Sequence, residues 1–132
     1  MLVSLLDTNL CIRALRDRPP AIRDRLQREQ DTLCISTVVL YELYVGAAQS
    51  AAPEANRAVI DAFVEPLPVL EFDAEAAFHA ASIRVDLARK GQIIGPYDLL
   101  IAGHARSLGL VVVTGNLREF GRVEGLRCED WL

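Results

Sequence analysis

Leu110-Val111-Val112-Val113 is the segment that most narrows what this chain can become. It is short, wholly apolar and closed by Gly109 before it and Thr114-Gly115 after it. A run without polar alternation needs cover on both faces, which is the condition of a strand inside a parallel sheet with helices on each side. Three other short, mostly apolar runs are strand candidates: Leu2–Leu6, Leu33–Ile35 and Val69–Phe72. Between them lie segments with apolar residues at helical spacing. Strand–helix alternation of this kind predicts a three-layer α/β domain with a mostly parallel sheet. At 132 residues the chain suits one domain, residues 1–132, with a core of its own.

The helices announce their ends. Thr8-Asn9 starts one that continues through Cys11, Ile12 and Leu15 until Pro19-Pro20 breaks it. Ala21–Glu29 reads as a second. Ser36 is placed to cap a helix over Val38–Ala48, whose apolar composition predicts a largely buried element. Pro53 opens a helix to Val64. Asp73 caps a long one through Lys90, stopped by Gly91. Gly95-Pro96 opens Tyr97–Ser107, stopped by Gly109, and Leu126–Cys128 is a candidate last strand.

Composition removes several classes. Hydrophobic residues are 52% of the chain, which excludes intrinsic disorder, yet no apolar run approaches the ~20 residues that span a bilayer. The first residues carry no basic segment, so no export signal is expected there. Three scattered cysteines, Cys11, Cys34 and Cys128, without a CxxC pair, fit reduced packing residues and a cytoplasmic location. His79 and His104 are too few and too distant for a zinc site. The net charge of −4 argues, at first sight, against a nucleic-acid binder.

Parallel sheets carry their functional groups at the carboxyl ends of the strands. Asp7 follows the first strand, Glu42 lies on the helix after the second, Asp98 falls in the first turn of the helix opened by Gly95-Pro96, and Thr114, Asn116 and Glu119 follow the fourth strand. Each has a plain alternative. Asp7 is also a good helix cap, Asp98 a good partner for a helix dipole, and Glu119 an ordinary turn residue. Glu42 is harder to explain away, because Val38–Val45 is otherwise apolar and the nearest basic residues in sequence are Arg28 and Arg57. A buried carboxylate needs a partner or a metal. Acids gathered at one sheet edge make an oxygen-rich cluster suited to Mg²⁺ or Mn²⁺, and with no Cys or His nucleophile that favours phosphodiester or phosphoryl chemistry. A phosphotransferase of the haloacid dehalogenase type wants a second Asp where Asn9 stands. A receiver domain wants a Lys after a late strand, and the only lysine is Lys90. No P-loop motif occurs.

The ordered set Leu6-Asp7-Thr8-Asn9, Glu42, Tyr97-Asp98-Leu99-Leu100-Ile101-Ala102 and Val113-Thr114-Gly115-Asn116 resembles the PIN-domain nucleases. More narrowly it resembles the VapC toxins of VapBC toxin–antitoxin modules, over essentially the whole chain. Gly95-Pro96-Tyr97-Asp98, Ile101–Arg106 and Glu129-Asp130-Trp131 are most similar to the subgroup that cleaves initiator tRNA. The resemblance implies a PIN-like domain with a central sheet of four to five strands. It implies that Asp7, Glu42 and Asp98 hold Mg²⁺ and that Thr114 is the hydroxyl beside the site. A fourth acid often stands where this chain has Asn116, with Glu119 three residues on as the alternative. It further implies a metal-dependent endoribonuclease that cuts RNA loops, a VapB-type antitoxin as partner, and homodimers. A catalytically silent RNA- or partner-binding module, and a metal-dependent DNA nuclease or phosphatase on the same scaffold, remain as rival readings.

Charge is unevenly spread. Residues 13–28 hold six arginines against two aspartates, whereas residues 54–75 hold six acids against Arg57. Arg13, Arg16 and Arg23 are therefore candidates for contact with RNA phosphates, the alternative being a solvated helix face. Tyr97 and Phe120, beside the acids, are either base-stacking surfaces or core.

Overall fold

A computed structural model describes residues 1–131. Five strands, β1 (Ser4–Leu6), β2 (Leu33–Ser36), β3 (Val69–Leu70), β4 (Val111–Thr114) and β5 (Cys128–Asp130), form one sheet in the order β3-β2-β1-β4-β5. Every neighbouring pair is parallel, with Leu5 opposite Cys34 on one side and Val112 on the other. β1 and β2 are buried throughout and β4 is buried beyond Val111, as their mostly apolar character requires.

The connections are helical: α1 (Thr8–Leu15) and α2 (Pro20–Glu29) lead to β2, and α3 (Thr37–Ala48) and α4 (Pro53–Val64) to β3. Then α5 (Ala74–Arg89) and α6 (Pro96–Leu108) lead to β4, and the short α7 (Leu117–Phe120) to β5. From β1 the chain steps outward to β3, then returns across β1 to β4. Right-handed crossovers put α1–α4 on one face and α5–α7 on the other, giving three layers. Accordingly α1 packs on α3, α3 on α4, and α5 on α6. The sheet order reverses between β1 and β4, and a crevice opens at the carboxyl ends of strands at such a point.

Local signals set the boundaries. The Asp7, Ser36 and Asp73 side chains accept from the N–H groups of Leu10, Val38 and Ala76 at 2.8, 3.0 and 2.9 Å. These bonds satisfy donors that the first helical turn cannot. Pro20, Pro53 and Pro96 occupy first turns, where a missing N–H costs nothing. Gly109 ends α6 with φ +67°.

Two expectations need correction. The last strand lies two residues later than Leu126–Cys128. Gly125 at φ +79° and the Leu126 N–H bonded to the Val123 carbonyl hold that stretch in a turn, and pairing begins where the Val112 N–H reaches the Arg127 carbonyl at 2.9 Å. Helix α3 is not largely buried. Only Val39, Leu43 and Ala47 are fully enclosed, because α1 and α4 cover one stripe of it, and Tyr41 and Gly46 face solvent. No helix among the described residues is long and apolar enough to cross a membrane.

Candidate active site

The crevice at the β1–β4 reversal is where the acids meet. Asp7 is the first residue after β1 and is 3% exposed. One of its oxygens, Oδ1, caps α1. The other, Oδ2, accepts the Thr114 hydroxyl at 2.5 Å. Thr114 ends the neighbouring strand β4, is fully buried, and accepts from the Asn116 N–H at 2.7 Å. Asp7 and Thr114 lie 107 positions apart in sequence, and parallel pairing of β1 with β4 makes them neighbours. Asn116 thus joins the network through its main chain.

Glu42 projects from α3, and its Oε1 accepts the Thr8 hydroxyl at 2.6 Å. Thr8 follows Asp7 directly, so Asp7-Thr8 fixes two carboxylates, one by its own position and one by its neighbour's donor. Asp98 enters from the first turn of α6. Burial, a hydrogen bond to Glu119 and the negative charges of Glu119, Asp7 and Glu42 push its carboxyl up to about 7. Asp98 is therefore partly protonated near neutral pH and, when protonated, donates a hydrogen bond to Glu119. Asp7 is also raised, first by burial, despite bonds from Thr114 and Leu10, with Glu42 and Asp130 adding negative charge.

The charges that raise Asp7 and Asp98 are those of carboxylates: Glu42 and Asp130 on Asp7, and Glu119, Asp7 and Glu42 on Asp98. Such a group is stable only when protons or a cation offset it. Its donors are hard oxygens, the chemistry that suits a divalent cation of the Mg²⁺ or Mn²⁺ kind. The carboxylates bond Thr114, Thr8 and each other, and no three Asp, Glu, His or Cys side chains among the described residues converge at metal-holding distance.

The raised Asp98 carboxyl predicts a pH response. Asp98 binds its proton more tightly folded than unfolded, so the stability it contributes is present at low pH. It is lost as pH rises from the ordinary carboxylate range through about 7. In chelator, the melting temperature should fall between about pH 5 and pH 7.5, and D98N should flatten that fall. A slope unchanged in D98N would place the proton elsewhere.

Three residues escaped the sequence reading. Thr8 was visible only as a helix start. Asp130 pairs in register with Thr114 on β5, which brings its charge to Asp7. The two-residue shift of β5 hid that. Tyr41 bonds Tyr97 hydroxyl to hydroxyl at 3.2 Å, with ring centroids 5.5 Å apart. Of the aromatic candidates, Tyr97 is 41% exposed, whereas Phe120 is fully buried core. The arginines divide. Arg16 shares a groove of about 370 Å³ with Glu42, Ser50 and Asn56. Arg13 is exposed on the same helix. The Arg23 Nε donates to the Ala14 carbonyl at 2.7 Å, tying α2 to α1, and lines a separate cavity with Leu26, Phe63 and Leu67, away from the acids.

The family model of the PIN domain matches residues 4–126, spanning β1 and every acid from Asp7 to Glu119. The chain belongs to the PIN-domain family. PIN domains are a nuclease family, and PIN-domain ribonucleases are generally metal-dependent. The chain is 53% identical over 131 residues to a tRNA(fMet)-specific endonuclease VapC of Shigella flexneri, covering 99% of each chain. It is 42% identical over 132 residues to ribonuclease VapC2 of Haemophilus influenzae, covering all of both. Its fold superposes on the DNA-bound VapBC structure from Salmonella typhimurium with a TM-score of 0.96, 52% identity and full coverage of both chains.

Proposed function

We propose that this PIN-domain protein is a Mg²⁺-dependent endoribonuclease toxin that cuts initiator tRNA in its anticodon loop and so inhibits translation. The observation that carries the chemistry is the set Asp7, Glu42, Asp98 and Glu119 at one crevice, where burial and the neighbouring carboxylates raise the carboxyl groups of Asp7 and Asp98. The substrate rests on full-length similarity to a relative named for that tRNA. Asp7, Glu42 and Asp98 would hold the cation, Mg²⁺ by preference and Mn²⁺ as substitute, with Glu119 the fourth carboxylate in place of an acid at Asn116. When bound, the cation supplies Lewis-acid charge for phosphodiester hydrolysis. Thr114 orients Asp7 with its hydroxyl, and Thr8 orients Glu42.

Similarity to toxin chains crystallised as VapBC complexes supports a VapB-type antitoxin as partner. The reading also places the protein in the cytoplasm, as one domain and as a homodimer within a toxin–antitoxin assembly. The deciding experiment is incubation of purified protein, freed of antitoxin, with total RNA in Mg²⁺ and in EDTA. EDTA-sensitive scission of initiator tRNA is expected, and absence of any such cleavage overturns the enzyme reading.

T8V should keep the shape of α1 and leave Glu42 without its donor. Losing a group that orients a metal ligand costs about 10- to 100-fold in affinity or activity. The Mg²⁺ concentration for half-maximal cleavage should rise while the melting temperature in chelator holds. Reversing the charges of Arg13 and Arg16 should weaken RNA binding and flatten its dependence on salt, because each lost phosphate contact removes counterion release; Arg23, which ties α2 to α1 away from the acids, is left out of the test. An unchanged salt slope returns these arginines to a solvated face.

A further inference from the structure

Tyr41 and Tyr97 precede Glu42 and Asp98 in sequence and come from α3 and α6, helices on opposite faces of the sheet. They meet over the crevice. Their hydroxyls are 3.2 Å apart and their rings are tilted by 48° at a centroid separation of 5.5 Å. Both remain in water, 51% and 41% exposed. Large aromatic rings favour burial, so two held together in solvent at the rim of a site call for an occupant. The remaining tyrosine, Tyr44, is used differently: its hydroxyl bonds Asp61, and the Arg57 guanidinium lies 5.4 Å over its ring.

We propose that Tyr41 and Tyr97 form a stacking platform for one unpaired nucleobase beside the scissile phosphate. This rests on the RNA-cleaving function proposed above. Seating a base between two rings takes two ring contacts, about 7 Å in all, so at 5.5 Å the base lies on an outer face of the pair. The mutual hydroxyl bond fixes that face before the base arrives. The pair is also a neutral surface in a crevice of carboxylates. A phosphate is repelled there until a cation is bound, whereas an uncharged base is not. A base already paired and stacked in a duplex has no free face to offer, so the platform selects loops. Stacking accepts every base, so this contact selects unpaired structure and not sequence.

The test uses the full-length protein, Mg²⁺ and a hairpin RNA carrying the anticodon-loop sequence. The same hairpin is also made with an abasic site at each nucleotide flanking the cut. Y97A and Y41A should each raise KM about tenfold, and Y97F, which keeps the ring, should recover most of the loss. In wild-type protein one flanking abasic site should raise KM by a similar factor. Combined with Y97A, that abasic site should cost little more than either change alone. Unchanged KM in both alanine variants overturns the platform. So do penalties that multiply in full, or a KM left intact while sedimentation shows an altered oligomer, which makes the pair a protein contact. Failure of the wild-type protein to cut any RNA overturns the underlying function instead.

Discussion

D7N should abolish all but about a thousandth of the RNA cleavage while leaving the protein folded. The Asn carbonyl oxygen can still cap α1 through the Leu10 N–H, and its amide can donate to the Thr114 hydroxyl, so the network at the β1 end keeps its connections. What disappears is one negative charge from a buried position that is 3% exposed. In the metal-dependent reading, that charge holds the cation, and several kcal/mol of transition-state stabilisation go with it, about three orders of magnitude in rate. The sign on stability is opposite. Asp7 repels Asp98 and is itself repelled by Glu42 and Asp130, so neutralising it should leave the melting temperature in chelator unchanged or higher. The rise that Mg²⁺ produces in wild-type protein by binding the native state should shrink in D7N. Full activity in D7N would remove Asp7 from the site, whatever the protein's function.

The second large effect is structural. G103A should destabilise the fold by about 3 kcal/mol, although alanine is the better helix former by about 1 kcal/mol. Gly103 lies in α6 against α5, and a Cβ there would stand 2.5 Å from the Ala80 backbone nitrogen and 2.6 Å from its Cα. Backbone cannot turn aside as a side chain can, so the helices must separate. Ala80 is buried on α5 opposite Gly103, and these two small residues permit an approach that one added methyl prevents. Denaturant unfolding measures the loss. A variant as stable as wild type would mean that α5 slides freely on α6. Because α6 also carries Tyr97 and Asp98, cleavage should fall even at temperatures where G103A is folded.

Much of this architecture was legible along the chain. Leu110–Val113 needs cover on both sides whatever its partners, and Asp7, Ser36 and Asp73 reveal helix starts because an orphan N–H group must find an acceptor nearby. Asp7, Glu42 and Asp98 stood out because acids ending or following apolar runs must meet at one edge of a parallel sheet. What stayed hidden depends on which element lies beside which. Thr8 serves Glu42 only because α1 and α3 are neighbours. Asp130 reaches Asp7 only through a register set by a glycine turn at Gly125. The Tyr41–Tyr97 pair is set by two helices on opposite sheet faces, and no spacing within either helix records it. The apolar stretch of α3 misled for the same reason: composition does not say how many neighbours a helix has.

The order in which a ribosome makes the strands differs from the order in which the sheet arranges them. β1 emerges first but sits in the middle, and β4, its partner on the site-bearing side, is made about a hundred residues later. Until then the nascent chain holds Asp7 without Thr114 or Glu119, and one edge of β1 has no strand beside it. At ordinary synthesis rates of roughly 5–20 residues per second, that interval lasts several seconds. The crevice therefore has all its walls only when nearly the whole polypeptide has been made.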